Sequence, residues 1–418
     1  MPMIKAIRGM KDVANETAQT HAHILNTASR LLEQAQFAPI LLPIVEKTEL
    51  FARAVGGATD IVEKEMYTFA DRNQDSLSLR PEGTAGCVRA IIENGLVQPG
   101  QVYKALYHGP MFRHERPQKG RYRQFYQLGA EYFGNANAYA DAELITLCAR
   151  IFDALGIRAQ LELQLNSLGS HEDRSAYKAA LVDFLKQHEN DLDEDSQRRL
   201  HTNPLRILDS KNESTQRILE SAPTLASFLS EGNTAQFNAI TQCLDACGIA
   251  WTHNPHLVRG LDYYNDCVFE WVSQEFGTVC GGGRYDGLVE LIGGKPTPAT
   301  GFAMGLDRIR LLLEALNQTP NSPDSLFVVT EPNQLQQAFP IIDRLRTELP
   351  QTILATMDNG SFKSQFKKAD KSNAQYALII GEQELQDQTV TLKSLRGNTP
   401  QQTIPLTQCI HFFKEQTS

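Results

Sequence analysis

The sequence lacks the features that mark membrane proteins and disulfide-linked secreted proteins. No run of about 18 apolar residues is present, and a helix needs such a run to cross a bilayer. The seven cysteines are scattered singly without zinc-finger spacing, so we interpret them as reduced thiols. The first residues, MPMIKAIRGMKDV, lack the apolar segment of a secretory signal. These absences predict a cytoplasmic protein with no membrane partner.

The common nucleotide-binding signatures are also missing. Neither a glycine-rich loop ending in Gly-Lys-Ser/Thr nor a G-x-G-x-x-G fingerprint occurs, so neither a P-loop nor a Rossmann dinucleotide site is indicated. The net charge of −9 argues weakly against a nucleic-acid partner, although it says nothing about local basic patches. The length of 418 residues and a hydrophobic content of 41% are typical of a globular protein with two or three domains.

The stretch from Gln101 to Gly134 carries the strongest signal. Val102 to Phe112 and Gln124 to Phe133 are rich in aromatic and apolar residues, which predicts two strands around a polar loop. Alternation places Gln127, Gly129 and Glu131 on one face, with room above the glycine for a small polar ligand. Four arginines lie in or beside the loop, namely Arg113, Arg116, Arg121 and Arg123. Their guanidinium groups are suited to a polyphosphate, because each can donate two hydrogen bonds to phosphate oxygens.

A second group of candidate residues lies at turns. RPEGTAG (residues 80–86) predicts a strand-to-helix junction, where Glu82 and Thr84 either cap the helix or bind a ligand ammonium; capping is slightly favoured. In LVRGLDYYNDCVFEW, Arg259 precedes a glycine at a tight turn before a strand.

Glycines mark a third region. Residues 281–283 are three glycines, which favour a glycine-floored pocket for an adenine ring or another small ligand. Thr300 to Leu313 predicts a strand followed by a helix, with Arg308 in the first turns, where phosphates often bind.

Changes of composition predict the domain organisation. Residues 1–169 and 249–316 form the two parts of one domain, separated by a polar helical insertion at 170–248. A linker at 317–325 precedes an α/β domain at 326–418, in which Lys363, Lys367 and Lys371 share a helix face. We interpret that face, and the basic cluster QRRLHTNPLR (197–206), as solvated rather than as contacts with an acidic partner.

Taken together and in this order, RPEGTAG, FRHERPQKGRYRQFYQLGAE, LVRGLDYY, GGGRYDGL and GFAMGLDR resemble the histidyl-tRNA synthetase family of class II aminoacyl-tRNA synthetases. The resemblance spans nearly the whole chain. It implies an α+β catalytic domain with a mixed, mainly antiparallel sheet, a helical insertion and a C-terminal α/β anticodon-binding domain. It also implies a homodimer with the Pro43 region at the interface.

The same resemblance implies a ligase that joins L-histidine to tRNA(His) through histidyl-adenylate, with ATP as substrate and Mg²⁺ as its accompanying ion. No side-chain cage for a metal is visible in the sequence. The implied catalytic residues are Arg113 and Arg259. The implied histidine-binding residues are Glu82, Thr84, Gln127, Glu131, Tyr263 and Tyr264. The implied ATP-binding residues are Arg113, Glu115, Arg121 and Arg308.

One alternative remains open from the sequence. A histidine-binding regulatory subunit of ATP phosphoribosyltransferase, a catalytically inactive paralogue, would share the catalytic-domain fold. Arg259 within an intact RGLDYY motif, together with the C-terminal domain, counts against this alternative. An RNA-binding protein with a vestigial site is disfavoured by four intact residues, namely Arg113, Glu115, Arg121 and Arg308.

Overall fold

The computed structural model describes residues 3–56, 59–98, 100–320, 325–358, 360–372 and 374–415. The chain divides into two compact units, Met1–Thr319 and Pro320–Ser418. Part of the predicted linker, residues 321–324, lies outside the described residues. Among the helices in the described ranges, none is both long and apolar enough to cross a membrane.

The first unit contains eleven strands and ten α-helices in its described residues. The strands are β1 (Ala38–Pro39), β2 (Val45–Lys47), β3 (Thr68–Ala70), β4 (Ser76–Leu79), β5 (Tyr103–Phe112), β6 (Gln124–Phe133), β7 (Leu161–Ser167), β8 (Thr252–His253), β9 (Asn265–Ser273), β10 (Gly277–Arg284) and β11 (Ala299–Gly305). The helices are α1 (Asn15–Gln34), α2 (Thr48–Val55), α3 (Thr84–Glu93), α4 (Ala138–Ala154), α5 (His171–Lys186), α6 (Glu194–Thr202), α7 (Glu213–Leu219), α8 (Glu231–Ala246), α9 (Leu288–Leu291) and α10 (Leu306–Ala315).

Eight of these strands form one sheet in the order β1-β5-β6-β11-β10-β9-β7-β8. Only the two outermost pairs, β1 with β5 and β7 with β8, are parallel. The other five pairs are antiparallel, which confirms the predicted mixed, mainly antiparallel sheet. Strands β2, β4 and β3 form a separate small antiparallel sheet, in which β3 and β4 are a hairpin.

The two faces of the large sheet have different surroundings because side chains alternate along a strand. On one face, Leu128 and Ala130 of β6 pack in a core shared with helices α1, α4 and α10. On the other face, Tyr107 of β5 and Val268 of β9 belong to a second core, together with α2, α3 and part of the insertion. Gln127 and Glu131 point to this second face, as the alternation predicts.

The insertion segment, which we define as residues 170–248, is helical as predicted. It contains α5, α6, α7, α8 and three 3₁₀ segments, one of which is Pro204–Asp209. Helix α8 places Ile240 and Leu244 in the core of the large sheet, beside α4. The limits of the insertion as a separate domain stay a prediction.

The second unit is a small α/β domain. Its strands are β12 (Ser325–Thr330), β13 (Thr352–Ala355), β14 (Tyr376–Ile380), β15 (Thr389–Ser394) and β16 (Gln402–Pro405). Its helices are α11 (Leu335–Glu348), α12 (Phe362–Lys371), α13 (Glu382–Asp387) and α14 (Leu406–Glu415). The three strands β13, β12 and β14 are parallel, as is typical of the predicted α/β domain, and β15 and β16 extend the sheet antiparallel.

Candidate active site

The centre of the second sheet face is occupied by a tyrosine ring. Tyr107 lies opposite Gly129 across the β5–β6 pair, and a Cβ atom at Gly129 or at Gly83 would overlap its ring. The glycine between Gln127 and Glu131 therefore accommodates a protein side chain. The expectation of free ligand space directly above Gly129 was wrong, because sequence alternation cannot show which side chain of a neighbouring strand fills the gap.

Glu131 lies beneath this tyrosine in a cage of hydroxyl groups. Its carboxylate accepts hydrogen bonds from Thr84 Oγ1 at 2.8 Å, Tyr107 Oη at 3.0 Å and Tyr285 Oη at 2.5 Å. The residue is 1% exposed. Gly301, its partner on β11, leaves space for the carboxylate, since a Cβ there would overlap it. Four segments far apart in sequence therefore converge on one carboxyl group.

Burial controls the protonation of this cluster. It raises the pKa of Glu131 to about 8, although the hydrogen bonds from Tyr285, Thr84 and Tyr107 act in the opposite direction. Burial also raises the pKa of Glu82, although the hydrogen bonds from the backbone N–H groups of Ala85 and Thr84 act in the opposite direction. The raised pKa favours the protonated form of Glu131.

The strand-to-helix junction at 80–86 has the geometry of a capped helix. The Glu82 carboxylate accepts the backbone N–H groups of Thr84 at 2.7 Å and of Ala85 at 2.9 Å, at the start of α3. This agrees with the capping interpretation. The Thr84 hydroxyl points away to Glu131, so the junction also connects α3 to the hydroxyl cage.

Tyr263 and Tyr264 close the cage from the other half of the chain. Their ring centroids are 4.6 Å apart, and those of Tyr263 and Tyr285 are 5.5 Å apart. Both Tyr263 and Tyr264 are buried, and burial raises the pKa of each phenol. Three aromatic rings and the Glu131 carboxyl thus form one compact polar-aromatic cluster.

A cavity of about 330 Å³ lies beside this cluster and opens over β6, β10 and β11. Six of the predicted site residues line it, namely Arg113, Glu115, Arg121, Gln127, Arg259 and Arg308. The other five, Glu82, Thr84, Glu131, Tyr263 and Tyr264, belong to the buried cluster. Within the described residues, Gln127 Oε1 is buried without a hydrogen-bond partner. An unpaired acceptor at the wall of a cavity is suited to a ligand donor.

Arg113 and Arg259 reach this cavity from opposite halves of the chain. Arg113 Nε donates to the carbonyl of Pro81 at 2.9 Å, and its guanidinium lies 5.3 Å from the Phe125 ring centroid. Arg259 forms an ion pair with Glu270 of β9. These contacts hold both guanidinium groups at one cavity, where they can act together on an anion.

Only the first of the three glycines at 281–283 faces the cavity. A Cβ at Gly281 would overlap the Arg259 guanidinium, so this glycine lets the arginine lie flat on β10. The other two are packed within the sheet, Gly282 against Gly301 and Gly283 against Cys267. The predicted glycine floor is therefore limited to one residue, and it supports an arginine.

The outer part of the cavity is rich in charge. Arg121 and Glu115 form an ion pair of 3.5 Å, and Arg308 Nε donates to the carbonyl of Gly120 at 3.1 Å. Burial and the neighbouring Arg121 lower the pKa of Arg308. An adjoining cavity of about 430 Å³ is lined by these arginines and by residues of the insertion segment.

The basic cluster at 197–206 contributes to this second cavity. Arg206 donates to Asp262 at 3.1 Å and is 18% exposed, and Arg199 donates to Asp60 at 3.3 Å. The solvated-face interpretation was therefore wrong for these two arginines, because their partners are remote in sequence. It holds for Arg198, which is exposed and pairs with Asp195 in its own helix.

Three residues of the site were missed by sequence reasoning, namely Tyr107, Tyr285 and Glu270. Tyr285 follows Arg284 in the glycine-rich motif, and Glu270 is an acidic residue within an otherwise apolar strand; both were available as signals. Tyr107 sits in an aromatic strand, so only its contacts distinguish it from a core residue.

Comparison with known proteins identifies the family. A family model for histidyl-tRNA synthetase matches residues 9–309, and a model for an anticodon binding domain matches residues 326–416. The chain belongs to the histidyl-tRNA synthetase family. It is an aminoacyl-tRNA synthetase with the class II fold and a C-terminal anticodon-binding domain, as the motifs predicted.

Individual relatives of this synthetase chain support the same family assignment. A histidine–tRNA ligase of Hydrogenovibrio crunogenus is 52% identical over 417 residues, which cover 98% of this chain and 97% of the relative. The apo crystal structure of the S. aureus histidyl-tRNA synthetase matches with a TM-score of 0.80 at 34% identity, over 99% of this chain and 100% of that one. The Nostoc sp. PCC 7120 enzyme structure shares the fold, with a TM-score of 0.72 at 19% identity over the full length of both chains. The regulatory-subunit alternative is not favoured.

The buried carboxyl group of this synthetase predicts a pH dependence of stability. The folded-state pKa of Glu131, about 8, lies above the usual 4.5, so the folded chain keeps a proton that the unfolded chain releases. The stabilisation from this group is complete below about pH 4.5 and is lost as the pH rises through about 8. Glu131→Gln cannot titrate. We therefore expect its urea midpoint, relative to the wild type, to rise between about pH 5.5 and about pH 8.5.

The exposed Glu213, 88% exposed in its side chain, provides the control. Glu213→Gln should show no comparable trend across the same pH series. A constant difference between Glu131→Gln and the wild type at every pH would contradict a neutral, buried Glu131.

Proposed function

We propose that the chain activates L-histidine with ATP and then transfers the histidyl group to the 3′-terminal adenosine of tRNA(His). In the first step a histidine carboxylate oxygen bonds to the α-phosphorus, and the bond from that phosphorus to pyrophosphate breaks. In the second step a ribose hydroxyl of the terminal adenosine attacks the histidyl carbonyl and AMP leaves. The observation that carries the proposal is that Arg113 and Arg259 line one cavity beside Gln127.

The buried cluster is the proposed histidine pocket. An imidazole has two ring nitrogens that need partners, and Glu131 and Tyr264 offer a carboxyl and a phenol. Glu82, Thr84 and Gln127 would hold the α-ammonium, which fits the unpaired acceptor of Gln127. A site built around such hydrogen bonds rejects analogues that lack the donor by about 10⁴–10⁵.

The cavity is the proposed nucleotide site. Arg113 and Arg259 would flank the α-phosphate and stabilise the charge that develops there, while Arg121 and Arg308 bind the outer phosphates. Glu115 would hold the nucleotide beside Arg121. The chain supplies no nucleophile in this scheme, so catalysis arises from positioning and from preorganised charge.

Mg²⁺ is the proposed companion of ATP. Among the residues that the structure describes, no group of three or more His, Cys, Asp or Glu side chains could hold a metal ion. Carboxylates occur singly around the cavity, where Glu115 and Glu270 are each paired with an arginine. This donor set fits an ion that is held mainly by substrate phosphates and water, which is the usual environment of Mg²⁺.

The second unit is proposed to bind the anticodon arm of tRNA(His). Its helix α12 carries Lys363, Lys367 and Lys371, which are exposed and spaced to share one face. Such a face can contact backbone phosphates despite the acidic total charge of the chain. A cytoplasmic location is proposed with it, and the seven free cysteines are consistent with a reducing compartment.

A homodimer through the Pro43 region is part of the same proposal. Strand β1 lies at the edge of the large sheet, and the residues after it expose apolar side chains. Leu41 is 87% exposed, Ile44 43% and Val45 39%. An exposed apolar patch at a sheet edge is the kind of surface that a second copy would cover.

Arg259→Ala tests the catalytic assignment. We expect adenylate formation to fall by roughly 10²-fold or more, the scale of losing one preorganised donor to a developing anion. Histidine-dependent ATP–pyrophosphate exchange measures this step without tRNA. Arg217→Ala, which removes a 77% exposed arginine, is the control and should exchange normally. Near-wild-type exchange in Arg259→Ala would contradict a catalytic role for Arg259.

Truncation after Thr319, at the boundary of the first compact unit, tests the role of the second unit. Pyrophosphate exchange should remain close to wild type, whereas the kcat/KM for tRNA charging should fall at least about tenfold because anticodon contacts are lost. Replacing Lys363, Lys367 and Lys371 together by Gln in the full chain provides an independent variant, which should lower charging and its salt dependence. Unchanged charging in both proteins would exclude an anticodon role.

Leu41→Glu tests the dimer. A carboxylate placed in a buried interface carries a large desolvation cost, so we expect the variant to sediment as a monomer at concentrations where the wild type is a dimer. Met357→Glu, at a 49% exposed position in the second unit, should leave the oligomeric state unchanged. Identical sedimentation of Leu41→Glu and wild type would place the interface elsewhere.

A further inference from the structure

The turn from Arg259 to Tyr264 carries three residues of the proposed site, but it is not part of a strand or a helix. Its last residue precedes β9, and the segment before that strand has no sheet hydrogen bonds of its own. An irregular segment keeps a fixed geometry only if contacts from elsewhere hold it. Contacts of this kind reach Asp262 and Tyr264 from the insertion segment.

The first contact is an ion pair with a second donor. Arg206, in the 3₁₀ segment Pro204–Asp209, donates from Nη2 to Asp262 Oδ1 at 3.1 Å. Asn203 Nδ2 donates to both oxygens of the same carboxylate, at 3.3 and 3.4 Å. The Arg206 guanidinium also lies within 3.7 Å of the position of a Cβ at Gly260. Arg206 therefore bonds to the turn at Asp262 and lies close to it at Gly260.

The second contact acts on the end of the turn. Arg174 of α5 donates from Nη1 to the carbonyl of Tyr264 at 2.6 Å. Its Nε is buried, and within the described residues it has no hydrogen-bond partner. A half-buried guanidinium that donates to a backbone carbonyl fixes the orientation of the peptide that follows the tyrosine.

The opposite side of the turn rests on α2. The backbone N–H of Asp262 donates to the carbonyl of Val55 at 3.2 Å, at the last residue of that helix. Gly56 follows with φ +96, and a side chain there would collide with the Asp262 carboxylate. Asp262 thus lies between α2 and the insertion, and its position determines where its neighbours Tyr263 and Tyr264 enter the buried cluster.

Two other arginines of the insertion segment pair within their own helices, and Arg199 bonds to Asp60 outside the segment but not to this turn. Arg198 pairs with Asp195 at 2.9 Å and Arg217 with Glu213 at 3.7 Å, each within its own helix. Arg174 and Arg206 instead direct their hydrogen bonds out of the insertion and onto one six-residue turn. The contacts of Arg174 and Arg206 with the turn are therefore specific, and they do not follow merely from the number of arginines in the segment.

We infer that Arg174 and Arg206 of the insertion segment are positioning residues, which hold the turn 259–264 so that Tyr263 and Tyr264 meet the histidine substrate and Arg259 meets the α-phosphate. The inference rests on the proposed function of those three residues. It gives the insertion a role in amino-acid activation, before any tRNA binds. The contacts are made at Asp262 and Tyr264, next to the histidine pocket, whereas Arg259 keeps its separate ion pair with Glu270, so loss of either contact should affect histidine more than ATP.

The experiment compares Arg206→Gln, Arg206→Lys, Arg174→Gln and Arg174→Lys in the full chain, with Arg217→Gln as the matched control in the same segment. In ATP–pyrophosphate exchange, each glutamine variant should raise the KM for histidine about tenfold and change the KM for ATP less than about twofold, the scale expected for a hydrogen bond to a charged group. Arg206→Lys should recover most of the loss, since it keeps the charge opposite Asp262. Arg217→Gln should match the wild type.

Two further measurements identify the mechanism. Asp262→Asn combined with Arg206→Gln should cost no more than the worse single variant, because both remove the same contact. Amide hydrogen exchange of the turn in the ligand-free protein should be faster in Arg206→Gln and Arg174→Gln than in Arg217→Gln. This second readout needs no activity.

The outcomes separate the inference from its premise. An unchanged histidine KM with unchanged amide exchange of the turn overturns the inference, and so does an equal rise in both KM values with a lowered unfolding midpoint, which indicates general destabilisation. If the wild type shows no histidine-dependent exchange reaction, the proposed function fails instead, while the amide exchange still tests whether the insertion holds the turn.

Discussion

A buried carboxyl group is the constraint on which the site depends. Glu131 is 1% exposed and lies on the central strand β6, so its polar atoms need partners from the protein or from a ligand. Thr84, Tyr107 and Tyr285 provide them. These hydroxyls can approach only because small residues surround them: Gly301 makes room for the carboxylate, and Gly83 and Gly129 make room for the Tyr107 ring.

The same arrangement explains why the two halves of the chain depend on each other. Thr84 and Tyr107 precede the insertion segment, whereas Tyr285 and Gly301 follow it. The neighbouring cavity repeats this arrangement, since Arg113 precedes the insertion segment and Arg259 follows it. The insertion therefore interrupts the sequence of the domain but not the packing of its site.

Two of the four arginines at the cavity have a carboxylate partner. Arg259 with Glu270 and Arg121 with Glu115 are pairs at the cavity wall, so these two arginines are held in place with their charge compensated. Groups that are already oriented need little reorganisation when an anion arrives, which is the physical basis of electrostatic catalysis. Arg113, held by the carbonyl of Pro81 and by the Phe125 ring, is oriented without a carboxylate partner.

The sequence by itself determined the elements that depend on local pattern. Aromatic alternation predicted β5 and β6 to within a residue, and the turn chemistry of RPEGTAG predicted the start of α3 at Thr84. Motif order indicated the family. Only the tertiary structure decided that Tyr107 fills the space above Gly129, that Gly281 supports Arg259, and that Arg206 bonds to Asp262 rather than to water. The reason is physical: periodicity fixes the face on which a side chain lies, whereas its partner is set by strand register and by segments that can be distant in the chain, as in the pair of Glu131 with Tyr285 at a separation of 154.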